Sequence, residues 1–140
     1  MTWLLDTPVV SELVRAKPKA SVIDWLQSQD ENDLFLSVLT LGELEKGIAK
    51  LSDSRHKTTL RKWVRKNLTM RFEDRLLAVD RQVASRWGAL TGTSERKGRP
   101  LPVIDSLIAS TAIAHELTVV SRNAANFERC GVACLNPWTD

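Results

Sequence analysis

The sequence predicts an α/β fold of three layers, with a central parallel sheet flanked by helices on both faces. Three observations predict it. The apolar runs are short and near-continuous, as in strands buried from both sides. Stretches of helical periodicity separate one run from the next. No hairpin signal joins any two runs, so the strands must be linked by crossovers. A chain of 140 residues, 43% hydrophobic and 26% charged, fits a single domain spanning residues 1–140 with a core of its own.

The elements follow in order. Trp3-Leu4-Leu5 reads as a buried strand, and Asp6-Thr7-Pro8 turns it into a helix through Val14, with Pro8 in the first turn where a missing N–H costs little. Asp6 thus stands at the carboxyl end of a strand and is a candidate N-cap. After Lys17-Pro18, the spacing of Val22, Ile23, Trp25 and Leu26 predicts a short amphipathic helix. Leu34 to Val38 is the next strand, and a helix opening at Thr40 carries Leu44, Ile48 and Leu51 on one face. Thr40-x-x-Glu43 also has the form of a capping box, so Glu43 has both a structural and a chemical reading.

From Ser54 to Arg71 an apolar stripe of Leu60, Trp63, Val64 and Leu68 is surrounded by cations, predicting a helix with one packed and one positive face. Leu76 to Asp80 reads as a strand whose closing acid caps a helix through Val83, Trp87 and Leu90. Thr93 to Pro102 reads as a loop, and a helix follows from about Asp105 to His115. Thr118 to Ser121 is a strand, residues 122–127 a polar turn, and Val132 to Leu135 a last short strand.

Composition excludes several function classes. A net charge of +3 is compatible with a nucleic-acid partner without requiring one. Cys130 and Cys134 form no disulfide framework, and with His56 and His115 remote they make no zinc spacing. Neither His has the context of a nucleophile triad, and there is no Gly-rich phosphate loop. A paired-carboxylate glycosidase would need a sugar cleft that 140 residues leave little room for. The N-terminus lacks a charged leader, and Asp105, His115 and Glu116 interrupt the apolar stretch from Leu101, so the expectation is a cytoplasmic protein with no membrane association.

What remains is a set of acids in apolar settings. Asp105 lies in Leu101-Pro102-Val103-Ile104-Asp105-Ser106-Leu107-Ile108, where an ionised carboxylate is costly unless paired, hydrogen-bonded or bound to a metal. In a parallel sheet, ligands bind beyond the carboxyl ends of the strands, and that topology can bring Asp6, Glu43, Asp105 and Asn123 to one edge. Three carboxylates side by side call for a counter-charge. With no His or Cys among them, a hard cation, Mg²⁺ or Mn²⁺, fits the donors and suits metal-assisted hydrolysis of a phosphodiester.

Leu4-Leu5-Asp6-Thr7, Leu41-Gly42-Glu43-Leu44-Glu45-Lys46-Gly47-Ile48, Pro102-Val103-Ile104-Asp105-Ser106, Val120-Ser121-Arg122-Asn123 and Leu135-Asn136-Pro137-Trp138 appear in an order and spacing that resembles the PIN domain. More narrowly, they are similar to the VapC-type ribonuclease toxins of toxin–antitoxin pairs. The resemblance implies a PIN-like fold and endonucleolytic cleavage of RNA, with Asp6, Glu43 and Asp105 as the central acids. It implies that Asp6 and Asp105 hold Mg²⁺ or Mn²⁺, and that the hydroxyls of Thr7 and Ser121 line the pocket. The family's fourth catalytic position, often Asp, is here Asn123, a neutral oxygen donor that can still orient a metal-bound water, and a nearby site that is often acidic is Asn126. A homodimer and a cognate VapB-type antitoxin, whose tail covers the acids, are implied as well. Arg61, Lys62 and Arg65 of the basic helix then become candidate contacts to the RNA backbone. The two asparagines motivate the alternative, a non-catalytic nucleic-acid-binding regulator on the same fold.

Overall fold

The computed structural model describes residues 1–140. The apolar run at the N-terminus forms β1 (Trp3–Leu5), which lies at the centre of a five-stranded sheet. On one side of it pairs β2 (Leu34–Ser37) and then β3 (Leu76–Leu77); on the other pair β4 (Thr118–Val120) and then β5 (Cys134–Leu135). Every pairing is parallel, with Trp3 opposite Leu34 and Leu5 opposite Val120. The strand order 3-2-1-4-5 reverses direction between β1 and β4, and ligands of open α/β sheets bind at such a switch point.

Alternation along β1 divides the core. Trp3 and Leu5 join one apolar cluster while Leu4 joins the other. The first cluster is closed by α1 (Thr7–Ser11, continued by a 3₁₀ turn at Glu12–Val14) and by α2 (Ala20–Gln27). The second is closed by α7 (Val103–Ala114) and α8 (Ala124–Arg129). Glu12, 2% exposed, joins α1 to α2: its carboxylate accepts from the Lys19 amide at 3.0 Å and from Arg15 at 3.0 Å.

Five elements differ from the sequence expectation; the last strand, β5, keeps only Cys134–Leu135 of the four residues expected, and the other four follow. First, α3 (Val38–Ala49) begins directly after β2, because the Ser37 hydroxyl accepts from the Leu39 amide at 3.0 Å and caps it. Thr40 is therefore already inside the helix and Glu43 lies beyond its first turn, so the capping-box reading of Glu43 is withdrawn. Second, β3 is only two residues long, although Asp80 does cap the next helix, accepting from the Val83 amide at 2.9 Å. Third, α6 (Arg81–Arg96) runs past Thr93 and ends in a Schellman motif. There Gly98, at φ +73°, lets the Arg99 amide reach back to the Ser94 carbonyl at 2.9 Å. Fourth, the expected polar turn after Asn123 is the helix α8, anchored by the fully buried Phe127.

The basic stretch is one continuous helical segment: α4 (Arg55–Lys62), a π-helical turn at Trp63–Leu68, and α5 (Thr69–Arg71). The Thr69 hydroxyl donates to the Val64 carbonyl, five residues back, at 2.8 Å. Val64 and Leu68 are buried as the apolar stripe requires. No helix is long and apolar enough to cross a membrane.

Candidate active site

The site is assembled at the switch point. Asp6 follows β1 and is buried, and its amide donates to the Val120 carbonyl of β4 at 2.9 Å. That ladder bond brings the residue after β4, Ser121, beside it. The Ser121 hydroxyl donates to Asp6 Oδ2 at 2.7 Å, and the Thr7 amide donates to Oδ1 at 2.9 Å. One oxygen of Asp6 thus caps α1 while the other accepts from the residue that follows β4.

Thr7, in the first position of α1, links the next acid. Its hydroxyl donates to Glu43 Oε1 at 2.5 Å and lies 3.3 Å from the hydroxyl of the buried Thr40. Asp105, in the first turn of α7, accepts at Oδ2 from the side-chain amide of Asn126 at 3.0 Å. The Trp87 indole N–H reaches the Ser106 hydroxyl at 3.0 Å and fixes α6 against this turn.

Burial pushes the Asp6 carboxyl up to about 6. The hydrogen bonds from Ser121 and the Thr7 amide work against that rise, whereas the charges of Asp105 and Glu43 add to it. Asp6 thus feels the charges of both other acids, and none of the three takes part in any of the molecule's ion pairs. They do not close into a cage: no three His, Cys, Asp or Glu side chains gather around one point. A cleft of about 450 Å³ between α3 and the first turn of α7 opens beside Glu43, which lines it with Lys46, Lys50 and Ile104.

Asp6, Glu43 and Asp105 are brought to the same sheet edge, with Thr7 and Ser121 hydrogen-bonded among them. Asn123 is exposed, and its backbone amide donates to the Ser121 hydroxyl at 2.9 Å. Of the two asparagines it is Asn126 whose side chain touches an acid. Sequence reasoning passed over Lys46 and Lys50, which follow Glu43 at helical spacing. It also treated Thr40 only as a cap.

The basic helix packs against the site through Leu60, Trp63 and Val64, which share an apolar groove of about 210 Å³ with Thr7 and Glu43. Arg65 is paired with Glu45 at 2.8 Å, Arg61 is half-buried, and Lys62 lines a separate pocket with His56 and Asn67. None of these three cations pairs with a site acid. Thiol chemistry has no support: burial pushes Cys134 up to about 11 and Cys130 also upward.

Ser121 is the clearest positioning residue. Ser121→Ala removes the hydroxyl between Asp6 and the Asn123 amide, and the expected cost is about 1–3 kcal/mol. Losing a bond that holds the Asp6 pKa down also moves the acid limb of any activity profile to higher pH. Urea unfolding and a pH–rate profile check the two effects separately.

Comparison with known proteins adds an independent line. A family model described as PIN domain matches residues 3–132. The plasmid stability protein StbB of Pseudomonas syringae pv. tomato is 36% identical over 135 residues, covering 96% of this chain and 97% of its own. Toxin FitB of Neisseria gonorrhoeae is 35% identical over 137 residues, covering 98% and 99%. The VapC ribonuclease Y4jK of Sinorhizobium fredii is 30% identical over 135 residues, covering 96% of each. Among solved structures, FitAcB from Neisseria gonorrhoeae superposes with a TM-score of 0.93 at 34% identity, over 99% of this chain and 100% of that one. FitAB bound to an IR36 DNA fragment gives 0.92 at 32% identity, over 99% and 97%.

Proposed function

Because the chain belongs to the PIN-domain family, among its VapC-type toxins, we propose that it is the toxin of a toxin–antitoxin pair and a metal-dependent endoribonuclease. The observation that carries this is the gathering of Asp6, Glu43 and Asp105 at the switch point without a single side-chain counter-cation. Relatives named ribonuclease support the same reaction class.

The donor set fits Mg²⁺ or Mn²⁺. It is all oxygen, which disfavours zinc. The absence of a three-ligand cage suits an ion that keeps several waters and takes only one or two carboxylates directly. Asp6 and Asp105 would hold it. When bound, such an ion supplies a lowered pKa for a coordinated water and stabilises charge on the phosphodiester.

The chain's own residues do the rest. Ser121 and the Thr7 amide fix both oxygens of Asp6, so its carboxylate needs no reorganisation. The Thr7 hydroxyl holds one oxygen of Glu43 and leaves the other to accept a proton from an attacking water. Asn126 orients Asp105. Lys46 and Lys50, in the cleft beside Glu43, are placed to receive phosphate oxygens. Arg61, Lys62 and Arg65 serve as a more distant basic surface.

By analogy with the FitAB and VapBC complexes, the partner is a cognate VapB-type antitoxin. The active form, on the family resemblance, is a homodimer. The apolar groove between Thr7 and Trp63 is the docking surface that such a partner would use.

The contact between Asn126 and Asp105 favours a second reading, a nucleic-acid-binding regulator that does not cut, since an amide occupies an oxygen a cation would need. Calorimetric titration with Mn²⁺ separates the two. Binding that disappears in Asp105→Asn supports the nuclease, and no binding at millimolar metal supports the regulator.

A further inference from the structure

Three cations that no motif singled out converge where the end of α6, the loop after it and the end of α8 meet. Lys97 caps the carboxyl end of α6, Arg99 closes the Schellman turn, and Arg129 ends α8. They line a pocket of about 450 Å³ with Leu90, Thr93 and Ser94, and none of the three has an acidic partner. The pocket is built. The Ser94 hydroxyl donates to the Arg99 carbonyl, and Arg129 donates to the Pro100 carbonyl at 3.3 Å, so the middle of the loop is held at two adjacent carbonyls.

Its position ties it to the acids. On α8, Asn126 holds Asp105, and Arg129, three residues later on the same face, lines the pocket. The first turn of α7 is thus linked to cations by two contacts: Ile104 shares the cleft of Lys46 and Lys50, and Asp105 meets Asn126, one turn before Arg129 on α8. Cations at the carboxyl ends of α6 and α8 would in part serve those helix dipoles. Each dipole amounts to only about half a charge, however, and Arg99 lies outside both helices.

We propose that Lys97, Arg99 and Arg129 form a phosphate subsite for the RNA strand, seating a backbone phosphate to one side of the bond presented to Asp105. This rests on the ribonuclease reading. A continuous polyanion running past Asp105 meets the cleft of Lys46 and Lys50 at Ile104 and the pocket of Lys97, Arg99 and Arg129 along α8. Two guanidinium groups offer the planar donor forks that phosphate oxygens accept.

The test is the double substitution Lys97→Gln and Arg99→Gln, whose side chains hold no hydrogen bond or ion pair and whose removal leaves the fold intact. Binding of a labelled single-stranded RNA is measured in EDTA across a salt series. The expected result is binding weaker by about tenfold, with a salt dependence reduced by about 1.4 in the log–log slope for two lost contacts. Arg99→Glu alone gives a loss in the same direction and guards against a folding artefact in the double variant. Unchanged RNA affinity and slope, with wild-type cleavage intact, overturn the subsite alone. Unchanged RNA binding with lost affinity for an Asp/Glu-rich peptide also overturns it and assigns the pocket to a protein carboxylate. Failure of the wild-type chain to bind or cut RNA overturns the ribonuclease reading itself.

Discussion

Asp6→Asn is expected to lower RNA cleavage by at least about 100-fold while making the protein more stable. The two effects share one cause. Asp6 is buried and its pKa is raised from 3.8 to about 6, so at neutral pH the fold bears an ionised carboxylate that it would rather hold protonated. For an acid whose folded pKa is raised, the stabilising contribution is complete below about pH 3.8 and is gone once the pH has risen through about 6. The lost contribution is about 3 kcal/mol. An amide is neutral, keeps the bond from the Thr7 amide, and can donate to the Ser121 hydroxyl. At pH 7.5 the variant should therefore melt higher by about 5–10 °C. Thermal unfolding at pH 4 and pH 7.5 checks the sign, because the advantage of Asn shrinks at the lower pH. A site that sacrifices stability in this way is typical of one kept for function.

The largest expected loss of stability comes from Arg75→Ala, at about 3–5 kcal/mol. The Arg75 guanidinium is mostly buried and donates to the carbonyls of Glu31 at 2.6 Å, Leu34 at 2.5 Å and Arg71 at 2.6 Å. It also stacks over the Phe72 ring at 4.7 Å, and Phe72 is 1% exposed in the core. One side chain thus ties the end of the basic helix and the start of β3 to the start of β2. Alanine would leave three carbonyls without their donor and uncover Phe72. Arg75→Lys should recover only part of the loss, since an ammonium cannot span these acceptors as a planar fork does. Urea unfolding measures both variants. Arg75 pairs with Glu31 at 3.4 Å but touches none of Asp6, Glu43 and Asp105, so cleavage per folded molecule should stay at the wild-type level.

The architecture was legible because its signals are local. Short apolar runs alternating with helical periods require a parallel sheet, and the strand-to-helix junction at Leu5-Asp6-Thr7 places an acid at its carboxyl edge. Asp105 stood out as a carboxylate in an apolar helix. The departures arise where a distant contact decides. The end of α6 looks like loop from Thr93, yet Gly98 closes the helix only after Arg96. The cap of α3 is the last residue of a strand, which moved Glu43 out of its box. Nothing near Asn126 in the sequence says that its amide meets Asp105, because that contact depends on α8, which reads as a polar turn. The pocket of Lys97, Arg99 and Arg129 depends on the same two features.

The central claim is that the acids at the switch point cut RNA with a divalent ion. The most direct test is cleavage of total cellular RNA by the purified chain in Mg²⁺ or Mn²⁺, with and without EDTA, beside folded Asp105→Asn. Discrete cleavage products that vanish with EDTA and in the Asp105→Asn variant are the predicted result. Full cleavage by folded Asp105→Asn, or no cleavage by the wild-type chain in either metal, would contradict it.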